Sequence, residues 1–228
     1  MKKLFSYLYH HSFLKRIFPT LVFCLQRSLS DCQTVLDIGC GPNSPLQYCE
    51  NIKYSVGAEP FAPYLKKAKK RGIHSKYLSS QAQNLSFPEN SFDGVILIEV
   101  LEHLSVKDGL KVIKKTQEWA RKKVVISCPN GFVAQEEVDQ NPYQKHLSGW
   151  EAAKLKGLGF QVRGLAGLKV LRREIGEKEQ PEGWLESIRY QPRIFWLLIA
   201  VLSQAFVYYL PRLAFGLFAV KKLNKERK

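Results

Sequence analysis

The chain has 228 residues, 45% of them hydrophobic, which is enough for one α/β domain with its own core but excludes a second independent domain of any size. Its formal charge is +15. Five cysteines with no CxxC pair among them exclude a disulfide framework and a cysteine zinc site, and fit free thiols in a reducing compartment.

Basic residues crowd both ends. Lys2, Lys3, Lys15, Arg16 and Arg27 precede the first acid, Asp31, and Lys221, Lys222, Lys225, Arg227 and Lys228 face a single Glu226. Such ends suit an anionic partner, whether phospholipid, nucleic acid or a phosphorylated substrate, or serve only to solvate the chain. Residues 1–30 read as a basic, aromatic-rich helical extension bent near Pro19, with Leu4, Tyr7, Leu8, Leu14, Ile17 and Phe18 on one greasy face. His10, His11, Lys15 and Arg16 interrupt its apolar content and no small-residue cleavage site follows, which argues against a signal peptide. Packing on the domain and contact with a membrane surface both stay open for that face.

Residues 31–228 read as the main domain. The first strand, residues 34–38, runs into Gly39-Cys40-Gly41-Pro42-Asn43-Ser44, where Gly39 and Gly41 let the backbone approach a ligand closely. A dinucleotide fingerprint wants a glycine where Ser44 stands, and Pro42 interrupts it. Asp37, just before the turn, would repel a pyrophosphate but suits a ligand with a cationic amino acid end. Further strands are expected at 54–58, 74–78, 94–98, 123–127 and 161–165. Helices are expected between them at 45–51, 62–71, 106–121 and 149–158, an alternation that implies βαβ units and a parallel sheet. Ligands of such a sheet gather at the carboxyl ends of its strands. Ser148 and Glu151 stand in capping-box register for the last of these helices, and Glu102 reads as a helix-start acid. Near the C-terminus, residues 194–210 carry no charge and are bracketed by Arg193 and Arg212. The stretch is at the short limit of the roughly 20 apolar residues that a membrane span needs. A helix packed on the domain, a helix lying in or on a bilayer surface, and a span all stay open.

The segments "VLDIGCGPN", "YSVGAEP", "SSQAQNLSFPENSFDGVILIEVLEHL" and "NPYQKHLSGWEAAKLKGLGFQV" together resemble, in order, the motifs of the class I S-adenosylmethionine-dependent methyltransferases of the type 11 kind, over roughly residues 30–171. The resemblance implies a Rossmann-like seven-stranded sheet with helices on both faces, its last strand, 213–220, antiparallel and fed by the 194–210 helix. It implies a donor site made of Asp37, Gly39, Cys40 and Gly41 at the turn, Glu59 and the adjoining Pro60 at the ribose, Gln81 and Ala82 at the adenine, and Glu99 beside the methionine moiety. Two positions depart from the pattern. Asn43 replaces the third glycine, which asparagine tolerates because it visits the left-handed region, and Gln81 stands where an acid is usual. His103 is implied to support the fold near the site. Tyr143 and His146 are implied to touch the acceptor, with His146 the first choice of base if the acceptor is a hydroxyl.

The function expected is therefore methyl transfer from S-adenosylmethionine to a small molecule or an envelope lipid or glycan-type acceptor. The expected location is cytoplasmic, with the inner face of the membrane as a peripheral site, and no metal is expected. The alternative is a membrane-surface or nucleic-acid-binding module that keeps the fold without turnover, prompted by Gln81 and the absence of an evident base. Methylation of DNA bases is disfavoured, since Glu99-Val100-Leu101-Glu102 replaces the (N/D/S)PP(Y/F) turn that such enzymes resemble one another in carrying.

Overall fold

The computed structural model describes residues 14–172 and 185–223. The first half of the expected N-terminal helix pair, residues 1–13, lies outside the described residues, as do residues 224–228 of the basic tail.

Seven strands, β1 (Thr34–Ile38), β2 (Tyr54–Ala58), β3 (Lys76–Leu78), β4 (Phe92–Ile98), β5 (Ala120–Pro129), β6 (Gln161–Leu168) and β7 (Ala214–Lys222), form one sheet in the order β3-β2-β1-β4-β5-β7-β6. β1 through β5 pair in parallel, and β7 runs antiparallel to both β5 and β6. The strand order reverses between β1 and β4, so the carboxyl ends of those two strands flank the crevice where an open α/β sheet binds ligands.

Central strands read as continuous apolar runs because both faces are covered. Alternate residues enter different cores. Leu36, Val95, Leu97, Val124, Ile126 and Leu217 face the larger cluster with Trp119 and Trp150. Val35, Ile96, Val125 and Phe218 face the other, together with Cys24, Leu25 and Leu29. α1 (Leu14–Ile17) and α2 (Leu21–Ser28) flank Pro19, and α2, capped by Thr20, buries Cys24 and Leu25 in that second cluster. α3 (Ala62–Arg71) follows β2, and α4 (Val106–Trp119), capped by Ser105, buries Val112, Ile113, Thr116 and Trp119. All five cysteines are free and buried.

Three local expectations are corrected. Residues 45–51 hold only a 3₁₀ turn, Pro45–Tyr48, because Cys49 N–H closes an i→i+3 bond on Leu46. α5 is shorter than 149–158, spanning Ala152–Gly157, and its N-cap is Glu151 without a side-chain bond. Ser148 does not cap it, since its hydroxyl turns inward to donate to Leu101 O at 3.1 Å and to accept Trp150 Nε1–H at 2.9 Å.

α6 (Arg193–Val207) feeds β7. One side packs on β6, where the helix comes so close that a Cβ on Gly164 would lie 2.2 Å from Val207 O. Buried Gln204 fastens the contact, accepting Gly167 N–H and donating to Gly164 O, each at 3.1 Å. The opposite side leaves Ile194, Phe195, Leu198, Val201, Leu202 and Phe206 exposed. No helix among the described residues is long and apolar enough to cross a membrane.

Candidate active site

The turn after β1 is stitched to the end of β2, with Gly39 N–H and Cys40 N–H both donating to Ala58 O, at 2.8 and 3.0 Å. Gly39 and Gly41 both take positive φ, +67° and +55°, but for different reasons. A Cβ on Gly39 would lie 2.6 Å from Val100 Cγ2, so this glycine lets the turn pack on the β4 end. Nothing lies within 4 Å of the Cβ position of Gly41, which borders open space. Cys40 is buried behind the turn, and burial, then Asp37 and Glu59, push its thiol up, so it stays neutral.

Glu59, at the end of β2, is buried, and its Oε2 accepts Gly41 N–H at 3.1 Å while Oε1 accepts Phe61 N–H at 2.9 Å. Burial raises its pKa, which these two N–H groups offset only in part. The carboxyl group thus braces the turn against the second strand and keeps acceptor capacity for a ligand. Pro60, between Glu59 and Phe61, is half-buried.

Asp37 stands behind the turn as expected, but it is buried and engaged from within the protein. Its Oδ2 accepts Ser44 Oγ–H at 2.5 Å and lies 3.3 Å from His74 Nε2. Ser44 also accepts Leu46 N–H, so Asp37 and His74 set the course of the chain leaving the turn. His74, buried in the bend before β3, was invisible to motif reading, because only the tertiary fold brings it to Asp37.

Gln81 and Tyr143, far apart in sequence, meet: Gln81 Nε2 donates to the Tyr143 hydroxyl at 3.3 Å, and Gln81 Oε1 accepts from Gln83 at 2.7 Å. Ala82 is buried beside Gln81. Asn130 is a clamp, its Nδ2 donating to the carbonyls of Pro211, Arg212 and Ala214.

At the end of β4, Glu99 takes φ +55°, an uncommon conformation for a non-glycine residue and one that clusters at functional sites. It is locked there by Ser127 on β5, whose carbonyl accepts Glu99 N–H at 2.8 Å and whose hydroxyl donates to Glu99 Oε1 at 2.6 Å. The residue is exposed to solvent, although protein atoms crowd its carboxyl group. Burial raises its pKa, against the Ser127 hydroxyl and a hydrogen bond with Glu102. Glu102 belongs to a buried 3₁₀ turn, Leu101–His103, and is not a helix-start acid. Burial first and Glu99 second push its carboxyl well above the usual range.

The carbonyl of Glu102 accepts Leu147 and Ser148 N–H at 2.7 and 3.1 Å, which folds the loop before α5 onto this turn. His103 and His146 consequently pack edge to face, with ring centroids 4.8 Å apart. Burial and the neighbouring ring bring His103 down to about 4, and burial lowers His146, so both imidazoles are neutral near pH 7.

A donor carrying a sulfonium, a ribose and an amino acid end fits this edge of the sheet. Carboxyl groups stand at the ends of β1, β2 and β4, and the turn between them has a glycine, Gly41, facing open space. These features suit a nucleoside-bearing ligand at the strand-order reversal of a Rossmann-like α/β sheet. Residues 36–127 match the family model described as a methyltransferase domain. Over that stretch the chain is thus similar to methyltransferase domains, and its fold is that of the class I S-adenosylmethionine-dependent methyltransferases.

Solved structures show the same fold. A SAM-dependent methyltransferase from Archaeoglobus fulgidus is 19% identical, with a TM-score of 0.54 over 92% of this chain and 97% of that one. The plantazolicin methyltransferase BamL, solved with a triazolic desmethylPZN analog and SAH, is 16% identical, with a TM-score of 0.54 over 98% of this chain and 90% of that one. The plantazolicin methyltransferase BpumL, solved with a monoazolic analog and SAH, is 14% identical, with a TM-score of 0.55 over the same shares. Comparison with curated proteins finds no match.

Proposed function

We propose that this enzyme methylates an amphiphilic, lipid-linked or otherwise greasy small molecule at an anionic membrane surface. The observation that carries the proposal is the exposed face of α6. Ile194, Leu198 and Leu202 are 67%, 58% and 62% exposed on one side of a helix whose other side is firmly packed. Arg189 and Arg212 lie exposed at its two ends. An apolar stripe flanked by cations suits the boundary between headgroups and acyl chains, where each Lys or Arg contributes about 1 kcal/mol on an anionic leaflet. The net charge of +15 acts in the same direction.

In this reading Glu59 accepts the ribose hydroxyls, the Gly39–Gly41 turn, Cys40 and Pro60 wrap the donor backbone, and Asp37 holds the turn in shape. Gln81 and Ala82 border the adenine. Glu99 stands beside the methionine moiety, and Tyr143 and His146 lie on the acceptor side. The bound donor supplies a methyl group already activated by positive sulfur, so the residues around it contribute chiefly by orienting the acceptor and excluding water.

The test has two arms. Calorimetry with S-adenosylhomocysteine should show saturable binding to the wild type, weakened about 10- to 100-fold in Glu59→Ala, the loss of hydrogen bonds to a charged acceptor. Co-sedimentation with vesicles containing phosphatidylglycerol should retain the wild type. The Leu198→Glu, Leu202→Glu double variant should stay in the supernatant with its S-adenosylhomocysteine affinity intact. Equal retention of that double variant would remove the membrane-surface part of the proposal. Failure of the wild type to bind S-adenosylhomocysteine would remove the donor site.

A further inference from the structure

Four ionisable side chains, Glu99, Glu102, His103 and His146, meet where β4 ends, and binding of the donor accounts only for the first of them. One ligand-capable atom from each of Glu102, His103 and His146 lies within 4.8 Å of the others. Both imidazoles are oriented from behind: His103 Nδ1 is 3.2 Å from Lys145 O, and His146 Nδ1 is 2.6 Å from Val133 O. A carbonyl oxygen only accepts, so the ring proton sits on Nδ1 in each case and Nε2 keeps its lone pair. Histidines that bind metals are held in this way, by a hydrogen bond from the far nitrogen to a carbonyl or carboxylate.

Glu102 supplies the second observation. It is 2% exposed, and its Oε2 has no hydrogen-bond partner. Among the described residues no lysine or arginine forms an ion pair with it. A buried carboxyl oxygen without a partner is expensive to maintain. Here it is surrounded by groups that offer lone pairs, two imidazole nitrogens and the Glu99 carboxyl group. A cation satisfies the Glu102 oxygen and both imidazole nitrogens at once, whereas the hydrogen bond that Glu102 shares with Glu99 leaves Oε2 unpaired.

We propose that Glu102, His103 and His146 bind a divalent first-row transition ion, with Glu99 beside it. Two imidazoles and a carboxylate are a mixed nitrogen and oxygen set of the kind that takes manganese, cobalt or zinc. Three protein ligands leave coordination positions open. If the proposed function is right, those positions take an oxygen of the acceptor and lower the pKa of its hydroxyl, and His146 acts as a ligand in place of a base. Binding of the ion itself does not depend on that reading. Motif reading expects no metal because it searches for close-spaced cysteines and histidines, whereas these ligands come from two loops that meet only in the folded chain.

The experiment uses the untagged, chelator-stripped full chain titrated with Co²⁺ and, separately, Mn²⁺. One equivalent of Co²⁺ should bind and give visible d–d absorption. His146→Ala and Glu102→Gln should each weaken that binding at least tenfold, with S-adenosylhomocysteine affinity changed less than about twofold. In the wild type, Co²⁺ should produce large hyperfine shifts in the imidazole signals of two of the five histidines. That measurement decides the matter even if a variant fails to fold. Absence of Co²⁺ and Mn²⁺ binding in a wild type that binds S-adenosylhomocysteine, or binding unchanged in both variants, would overturn the site. A wild type that binds Co²⁺ but not S-adenosylhomocysteine would uphold the metal site and sink the donor reading.

Discussion

Asp93 and Glu59 are both buried acids held by main-chain N–H groups, yet their environments move them in opposite directions. Burial pushes Asp93 up, but Gln33 and Thr34 N–H and the Arg121 guanidinium outweigh it and hold its carboxyl below the ordinary value. Glu59 has two N–H donors and no guanidinium, so burial prevails and its pKa rises. The linkage for Asp93 follows directly. A folded pKa below the unfolded value, near 3.9, contributes stability that is complete above the unfolded value and is lost as pH falls through the folded one. Thermal unfolding from pH 7 to pH 2 should therefore show an acid-dependent loss that is smaller in Asp93→Asn. Removing the acid altogether in Asp93→Ala should cost about 3 kcal/mol at neutral pH, because Arg121 is left beside an empty partner. An unchanged acid limb in the asparagine variant would show that other carboxylates dominate.

At the scale of elements, the C-terminal helix shows how one sequence feature supports two physical readings that are both correct for different faces. Seventeen uncharged residues, 194–210, read equally well as a packed helix or as a membrane-seeking one. α6 packs its Ala200, Gln204 and Val207 side against the bulged β6 and exposes Ile194, Leu198, Leu202 and Phe206 on the other. Its attachment rests on close approach, and Gly164 is where a side chain would strike the Val207 carbonyl. Gly164→Val should push the helix off β6 and lower stability by about 1–3 kcal/mol, read as a drop in Tm. A Tm within a degree of the wild type would mean that α6 contributes little to the folded domain.

At the scale of the whole molecule, the proposed donor site draws on the ends of strands β1, β2 and β4, so ligand binding there would tie together segments distant in the chain. A saturating ligand that binds only the folded chain stabilises it by about 2.7 kcal/mol at 100 times its Kd. For a chain of this length that corresponds to a Tm increase of about 5–10 °C. Differential scanning fluorimetry with S-adenosylhomocysteine checks the figure, and a nicotinamide dinucleotide should give no shift. A shift with the dinucleotide alone would reverse the assignment of the glycine turn.

Local residue chemistry by itself was sufficient for the alternation of strands and helices, the glycine turn, and the acids that close β2 and β4. Periodicity and turn chemistry act over a few residues, and β1, β2 and α3 begin and end where they predict. Tertiary structure decided what depends on partners distant in the chain. It turned Ser148 from a helix cap into an inward bond to Leu101, engaged Asp37 with His74, and made Asn130 a clamp on residues 211–214. It also split the apolar helix into a packed and an exposed face. The meeting of Glu102 and His103 with His146 is the clearest case, because two main-chain hydrogen bonds from Leu147 and Ser148 to one carbonyl help to create it, and main-chain bonds between loops leave no mark in the identity of the residues that make them.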